Sequence, residues 1–161
     1  MEKTFQAPDV QIFWAEAKAA IGFHYDRDPD VWSFGDSPEL AQELVELVWT
    51  GVKTATCGSQ AAYHHWSIPV PKVGDLSVVL NGKEEPVCLI ETTELVVQPF
   101  SAVTEKFAYD EGEGDRSYSY WAAAHRDYFS REAKETGVLV TDDMMLVCER
   151  FRCLYKRVSG P

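Results

Sequence analysis

The chain has 161 residues, of which 45% are hydrophobic and 12% aromatic, and this balance is typical of one folded domain and excludes a disordered chain. Fifteen Lys and Arg residues against 26 Asp and Glu residues give a formal net charge of -11. A field of this sign repels phosphate chains and anionic membranes, which argues against a protein that coats nucleic acid.

The cysteine spacing and the first residues of the chain bear on the cellular compartment in which we expect the protein. Cys57, Cys88, Cys148 and Cys153 form no CxxC pair, and the first residues show neither a cationic nor an apolar leader pattern. No apolar run approaches the roughly 18 residues that cross a bilayer. We therefore expect a reduced, cytoplasmic protein with no membrane partner, built as a single domain over 1–161.

Helical patterns dominate the first third of the chain. Apolar residues at 3 and 4 spacing predict a helix over 9–21. Ser37 as N-cap, followed by proline, predicts a second helix over 38–50. The stretch between them is polar and turn-prone. We predict an N-terminal helical extension over 8–36 and a core over 38–158.

The pattern changes to β after Gly51. Strands are predicted over 53–57, 76–80, 87–97 and 144–158, with a short helix over 100–109 capped by Ser101 and a longer helix over 115–137. Strands separated by short helices favour an α+β fold with flanking helices and a mostly antiparallel sheet, either a curled sheet or a small β-barrel. Motifs of dinucleotide-binding, P-loop, zinc-protease and serine-hydrolase proteins are absent from the sequence.

The run over 51–56 is the densest candidate for chemistry, because it contains a lysine three residues before a threonine. A desolvated lysine with a lowered pKa can act as the base for a hydroxyl nucleophile. A flat strand would place Lys53 and Thr56 on opposite faces, so this chemistry requires a turn or a bulge. The alternative is a solvated lysine followed by strand-forming threonines.

An acidic, glycine-containing loop over 110–115 is the second candidate. Its glycines allow close approach of the backbone to a ligand, and Glu111 or Glu113 could orient a lysine or carry a proton. The alternative is a solvated connector whose acids favour the start of the next helix.

Aromatic residues could recognise a flat ligand by stacking. Tyr63 and Trp66 lie in a polar loop, where they could form a lid or the wall of a pocket, and the alternative is a packed corner. Trp121 lies on the apolar stripe of a predicted helix and is expected in the core.

Histidines and cysteines raise the question of a metal. His64, His65 and His125 with Cys57 show no ligand pair at helical or CxxC spacing. We predict no metal and no other cofactor, with His125 as a hydrogen-bonded core residue and Cys57 as an apolar filler. The alternative for Cys57 is a nucleophile assisted by His64 or His65.

Four short motifs together resemble the ASCH domain, a PUA-like β-barrel, in its larger bacterial branch. They are the run over 50–56, Lys-Val-Gly-Asp over 72–75, Ile-Glu-Thr-Thr-Glu-Leu over 90–95, and the run over 111–117 with its following helix. Some ASCH relatives are associated with RNA, and others hydrolyse amides with a lysine, a threonine three residues later and a downstream glutamate.

By the resemblance these positions fall on Lys53, Thr56 and Glu111, with Glu113 as the rival acid. Thr56 would attack the acyl carbon, Lys53 would take its proton, and Glu111 would orient Lys53 or protonate the leaving amine. Cys57-Gly58 replaces an arginine that several small relatives carry. The substrate-binding residues implied are Thr54, Tyr63, Trp66, Glu113, Arg116 and Ser117.

The leading hypothesis is hydrolysis of the exocyclic amide of a modified pyrimidine nucleoside such as N4-acetylcytidine. The alternative is an RNA-binding domain or a single-strand ribonuclease, which would use Lys53 and the C-terminal cations against phosphate. A third hypothesis is a sensor that binds a small ligand without turnover.

Overall fold

The computed structural model describes residues 3–161, which form one curled sheet with helices on both faces. In chain order its elements are α1 (Pro8–Ile21), β1 (Asp30–Ser33), α2 (Pro38–Trp49), β2 (Ala55–Ser59), α3 (Gln60–His65), β3 (Leu76–Leu80), β4 (Pro86–Pro99), a 3₁₀ turn (Phe100–Ala102), α4 (Glu105–Glu111), α5 (Tyr118–Thr136) and β5 (Met145–Lys156). Among these residues, no helix combines the length and the apolar character that a bilayer crossing requires.

The five strands lie in the order β1-β3-β4-β5-β2. Three of the four neighbouring pairs are antiparallel, and β1 pairs with β3 in parallel. The α+β class and the mostly antiparallel sheet are therefore confirmed. Closure of a barrel requires the two edge strands to pair. Within residues 3–161 β1 and β2 do not pair, so the sheet is a curled half-barrel and not a closed barrel.

Helices α1 and α2 cover opposite faces of the sheet. Alternate side chains of a strand point to opposite faces. Val78 and Leu80 of β3 pack with α1, whereas Val79 packs with α2. Every residue of β3 is buried for this reason. The α2 helix begins where the sequence predicts, since the Ser37 hydroxyl accepts a hydrogen bond from the Leu40 amide at 3.2 Å.

A third apolar cluster joins α4 and α5 to β2 and β5. Its largest members are Phe100, Phe107, Trp121 and Phe129, with Leu146 from β5. Trp121 is in this core, as its helical stripe predicts. This cluster fixes the end of α4 beside the start of β2, which is where the candidate site lies.

Three local elements differ from the sequence predictions. Strand β1 lies inside the predicted helical extension, and it forms through pairing with β3, a contact distant in sequence. Helix α3 replaces the predicted polar loop, and Ser59 caps it by accepting from the Ala62 amide at 3.3 Å. Helix α4 begins at Glu105, with Thr104 and not Ser101 as its cap, and it continues through Glu111 instead of ending at residue 109.

Candidate active site

Lys53 lies in the link between α2 and β2. Gly51 ends the helix with a φ of 80°, and the amides of Val52 and Lys53 both donate to the carbonyl of Leu47, at 2.9 and 3.0 Å. The chain therefore turns before β2 begins at Ala55. The turn directs the Lys53 side chain into the protein, where only 1% of it is exposed.

The Lys53 ammonium is held by two carboxylates. Its Nζ lies 3.0 Å from Oε2 of Glu111 and 2.9 Å from Oε1 of Glu113, and it also contacts the Glu111 carbonyl at 3.3 Å. Burial alone would lower the pKa of Lys53. The two carboxylates raise it by more than burial lowers it, so the pKa of Lys53 lies well above its ordinary value. The expectation of a lowered pKa is therefore wrong. An ammonium bonded to two carboxylates has no free electron pair, so in this arrangement Lys53 fixes the positions of Glu111 and Glu113.

Glu111 reaches Lys53 because two chain segments approach closely. Gly112 ends α4 with a φ of 77°, and a Cβ there would lie 2.8 Å from the Val52 carbonyl. Only glycine combines this conformation with this contact without strain. The end of α4 is thus brought against the link that carries Lys53.

The Glu111 carboxylate is saturated by donors. Oε2 accepts a hydrogen bond from Nζ of Lys53. Oε1 accepts one from Nε1 of Trp121 at 3.0 Å and lies 3.4 Å from Nε2 of His125. Burial raises the pKa of Glu111, but Lys53 and then His125 hold it well below its usual range. Glu111 is therefore ionised and has no proton to give to a leaving amine.

His125 supports the same carboxylate. Its Nδ1 lies 2.8 Å from the Trp121 carbonyl and donates to it, since a carbonyl only accepts. Nε2 then carries a proton only in the charged ring. Burial lowers the pKa of His125, but Glu111 raises it above its ordinary value. The sequence places this residue in the core, and its link to Glu111 is a finding of the structure.

A cavity of about 730 Å³ adjoins this cluster. Residues of both edge strands line it, so the cavity occupies the gap in the half-barrel. Aromatic rings form much of the wall: Trp32, Phe34, Tyr63, Trp66, Tyr120 and Tyr128. The polar lining includes Thr56 and the carboxylates of Glu111, Glu113, Glu132 and Glu149.

The structure brings some of the sequence-predicted residues together. Thr56, Tyr63, Trp66, Glu111 and Glu113 all line the cavity. Lys53 lies behind the wall and holds the two glutamates. Among the described residues, no hydrogen bond joins Lys53 to Thr56.

Three predicted substrate-binding residues lie outside the cavity lining. Thr54 is exposed, and its hydroxyl donates to the Asp110 carbonyl at 3.3 Å. Arg116 and Ser117 line a separate surface hollow, where the Arg116 guanidinium stacks 3.6 Å from the Tyr109 ring centre. A positive φ of 64° at Arg116 directs the chain this way.

The basic C-terminal residues do not converge on the cavity. Arg150 pairs with Asp110, Arg152 pairs with Glu91 at 2.6 Å, and Lys156 donates to the Trp49 carbonyl at 3.0 Å. None of the three is in the cavity lining. Their charges are met by groups of the protein itself.

Sequence reasoning missed Glu149, a residue of β5 that is 5% exposed and lines the cavity. The hydroxyl of Thr92 donates to its Oε1 at 2.6 Å. Burial raises the pKa of Glu149. The sequence does contain a signal for the burial of Glu149, because the strand alternation that places Val147 and Phe151 inward also places residue 149 inward.

Sequence reasoning also missed Glu132 of α5. Its Oε2 atom is buried without a hydrogen-bond partner in the described part of the chain. Burial raises the pKa of Glu132 to about 7. The carboxyl therefore exchanges its proton near neutral pH, which separates it from the ionised Glu111.

Within residues 3–161, the ligand atoms of Cys57, Glu111 and His125 lie within 4.8 Å of one another, so this set could hold a metal ion. The chemistry of the set opposes one. A divalent ion there would share Glu111 with the Lys53 ammonium, and like charges repel. Burial, and then Glu111, raise the pKa of the Cys57 thiol, whereas metal binding requires the thiolate.

Known proteins share this architecture. A family model described as ASCH domain matches residues 30–155. The crystal structure of an ASCH domain from Lactobacillus crispatus is 32% identical, with a TM-score of 0.84, and the match covers 95% of this chain and 99% of that one. The crystal structure of a protein from Enterococcus faecalis is 34% identical, with a TM-score of 0.81, over 90% of this chain and 87% of that one. No curated protein matches the chain.

The chain therefore belongs to the ASCH domain family. Its half-barrel sheet with flanking helices is a PUA-like fold, as the sequence motifs indicated.

Proposed function

We propose that this ASCH domain hydrolyses the exocyclic amide of a modified pyrimidine nucleoside, of the N4-acylcytidine type. The observation that carries the proposal is that Thr56 lines an aromatic cavity whose wall includes Glu111 and Glu113, both held by the buried Lys53 ammonium. A hydroxyl in a recess with ordered charges is the arrangement that acyl transfer to a threonine requires.

The cavity suits a nucleoside in size and character. A volume of about 730 Å³ lies within the usual range for small-molecule sites. Rings such as Tyr63, Trp66 and Tyr128 can stack on a base through the flat faces of both partners. No cofactor is required for amide hydrolysis of this kind.

The charge of the cavity selects against phosphate. The lining includes Glu111, Glu113, Glu132 and Glu149, whereas Lys3 and Arg131 are already paired with Asp9 and Asp36, each at 2.7 Å. An anionic ligand would be repelled by this field. A neutral nucleoside is therefore favoured over a nucleotide.

The reaction proceeds through an ester on Thr56. Its hydroxyl oxygen attacks the acyl carbon, the C–N bond breaks, and the nucleoside leaves with a free amine. Water then cleaves the ester and regenerates the hydroxyl. Lys53 serves as a positioning residue, because its ammonium fixes Glu111 and Glu113 and has no free electron pair for proton transfer.

Single-stranded RNA is the alternative substrate, and a ligand sensor without turnover is the third hypothesis. An RNA chain would require cations along its path. The pairing of Arg150 and Arg152 with acids of the protein favours the nucleoside over RNA.

The test incubates the protein with N4-acetylcytidine and, separately, with a short single-stranded RNA. We expect release of cytidine and acetate, measured by chromatography. Thr56→Val should reduce the rate by about 100-fold or more, because it lacks the nucleophile. The matched control is Thr54→Val, two residues away and exposed, which should retain activity. Cleavage of RNA alone, or binding of the nucleoside without turnover, would overturn the proposal.

A further inference from the structure

Glu149 lies directly across the sheet from Thr56. The two residues are partners in the antiparallel register of β2 and β5. Opposite residues in such a pair project from the same face, with Cβ atoms about 4.5–5.5 Å apart. Both residues also line the cavity. The carboxyl of Glu149 is therefore a close neighbour of the Thr56 hydroxyl on the surface that a ligand would meet.

Glu149 differs from the other buried acid of the cavity in lacking a cation. Glu111 pairs with Lys53, but within residues 3–161 no Lys, Arg or His nitrogen lies within 4.0 Å of a Glu149 oxygen. Its Oε1 is held by Thr92, and Oε2 has no hydrogen-bond partner in this part of the chain. Because Glu149 lines the cavity, its carboxyl can exchange a proton with a ligand there.

From this geometry we propose that Glu149 is the proton-transfer residue of the reaction, an inference that rests on the proposed amide hydrolysis. The Glu149 carboxylate takes the hydroxyl proton of Thr56 as the oxygen bonds to the acyl carbon. It then gives that proton to the nitrogen as the C–N bond breaks. In the second half of the cycle it takes a proton from the attacking water and returns it to the Thr56 oxygen.

The candidates that the sequence motifs indicated for this role are occupied. Lys53 is a fixed ammonium and Glu111 is an ionised carboxylate saturated by Lys53, Trp121 and His125. Glu113 is held through Oε1 by the same ammonium. Glu132, whose Oε2 also lacks a partner in the described part of the chain, comes from α5 and not from the strand that pairs with Thr56. Burial, with Asp75 and Asp30 nearby, raises the pKa of Glu149, and such a carboxyl exchanges protons closer to neutral pH.

Thr92 is the positioning residue for this carboxyl. It is 2% exposed and comes from β4, and its hydroxyl bond of 2.6 Å to Oε1 orients Oε2 as the free atom of the pair. Thr92→Val should therefore reduce kcat less than the loss of Glu149 itself, with KM nearly unchanged.

The experiment measures steady-state hydrolysis of N4-acetylcytidine by wild type, Glu149→Gln and Glu149→Ala, with cytidine binding measured in parallel. We expect kcat to fall by about 100-fold or more in Glu149→Gln while cytidine affinity changes little, because acid–base catalysis contributes about 10²–10⁴-fold. Added formate should restore part of the activity of Glu149→Ala, because a small carboxylate can replace the missing one. A merely structural role gives no such rescue. The matched control is Glu91→Gln, an acid of β4 whose partner is Arg152 outside the cavity.

The outcomes separate the two proposals. Turnover by wild type with an equally active Glu149→Gln overturns the role of Glu149 and leaves the hydrolysis standing. A folded Glu149→Ala that formate does not restore also overturns it. Wild-type protein that leaves N4-acetylcytidine intact overturns the hydrolysis, and the role of Glu149 falls with it.

Discussion

The Nζ atom of Lys53 lies 3.0 Å from Oε2 of Glu111, and each of these side chains is only 1% exposed. The two residues are 58 positions apart in the chain. Such a buried pair stabilises the fold only while both partners are present, since a single buried charge without its partner is strongly unfavourable.

Lys53→Met should therefore destabilise the protein. Methionine keeps the volume but leaves Glu111 and Glu113 without their shared cation, and the expected loss is about 3–5 kcal/mol in the free energy of unfolding, measured in urea. Lys106→Met is the control, because that lysine is 76% exposed in its pair with Asp110. The control should change stability by about 0.5 kcal/mol or less. Equal losses in the two variants would contradict the role of the buried cluster.

Gly112→Ala should also destabilise, for reasons of backbone geometry. The residue has a φ of 77°, and an added Cβ would lie 2.8 Å from the Val52 carbonyl. We expect a loss of about 2 kcal/mol or more, since both strain and a clash contribute. Gly137→Ala is the matched control, with a φ of 70° and no atom within 4 Å of the added carbon. It should lose about 1 kcal/mol. A control loss as large as that of Gly112→Ala would show that the close approach is unimportant.

The stability of the protein should fall in acid because of Glu111. Its folded pKa is depressed, so its contribution is present in full above the unfolded value of about 4.3 and is lost as the pH falls from there through the folded pKa. Unfolding free energies between pH 7 and pH 2 should show this loss in wild type and a shallower one in Glu111→Gln. Glu105→Gln, at an exposed position of α4, should follow wild type. An unchanged acid slope in Glu111→Gln would refute the assignment.

Glu132 should act in the opposite sense. Burial raises its folded pKa to about 7, so the neutral form is favoured in the folded protein. The resulting stability is present below the unfolded value of about 4.3 and is lost as the pH rises through 7. Glu132→Gln should therefore gain stability relative to wild type when the comparison moves from pH 5 to pH 8. Glu135→Gln, exposed on the same helix, should show no such change. Parallel behaviour of the two variants would count against a buried neutral carboxyl.

Local signals were sufficient for most of the fold. The cap at Ser37 and the apolar spacing of α1 and α5 predicted those helices to within a few residues. Strand β1 was not predictable in this way, because it forms by pairing with β3 across 40 or more residues. Local signals also could not decide between an open and a closed sheet, because whether the two edge strands meet depends on the curvature of the whole sheet.

The site was predictable in composition but not in charge state. The motifs pointed to Lys53 with Glu111 and Glu113, and these three side chains are in contact. The sign of the shift in the Lys53 pKa depends on how many carboxylates surround it, which only the packing decides. Glu149 could have been found from the alternation along β5, but no short motif contains it.

The gap between β1 and β2 has a consequence for how ligand preference can change. Each edge strand has one side whose amide and carbonyl groups are not used by a neighbouring strand of the sheet, and residues of both strands border the cavity. Main-chain groups are the same whatever side chains are present. Substitution of the aromatic and acidic side chains around the cavity can thus change which ligands bind there. The main-chain amide and carbonyl groups of the two edge strands stay available for hydrogen bonds to any of these ligands.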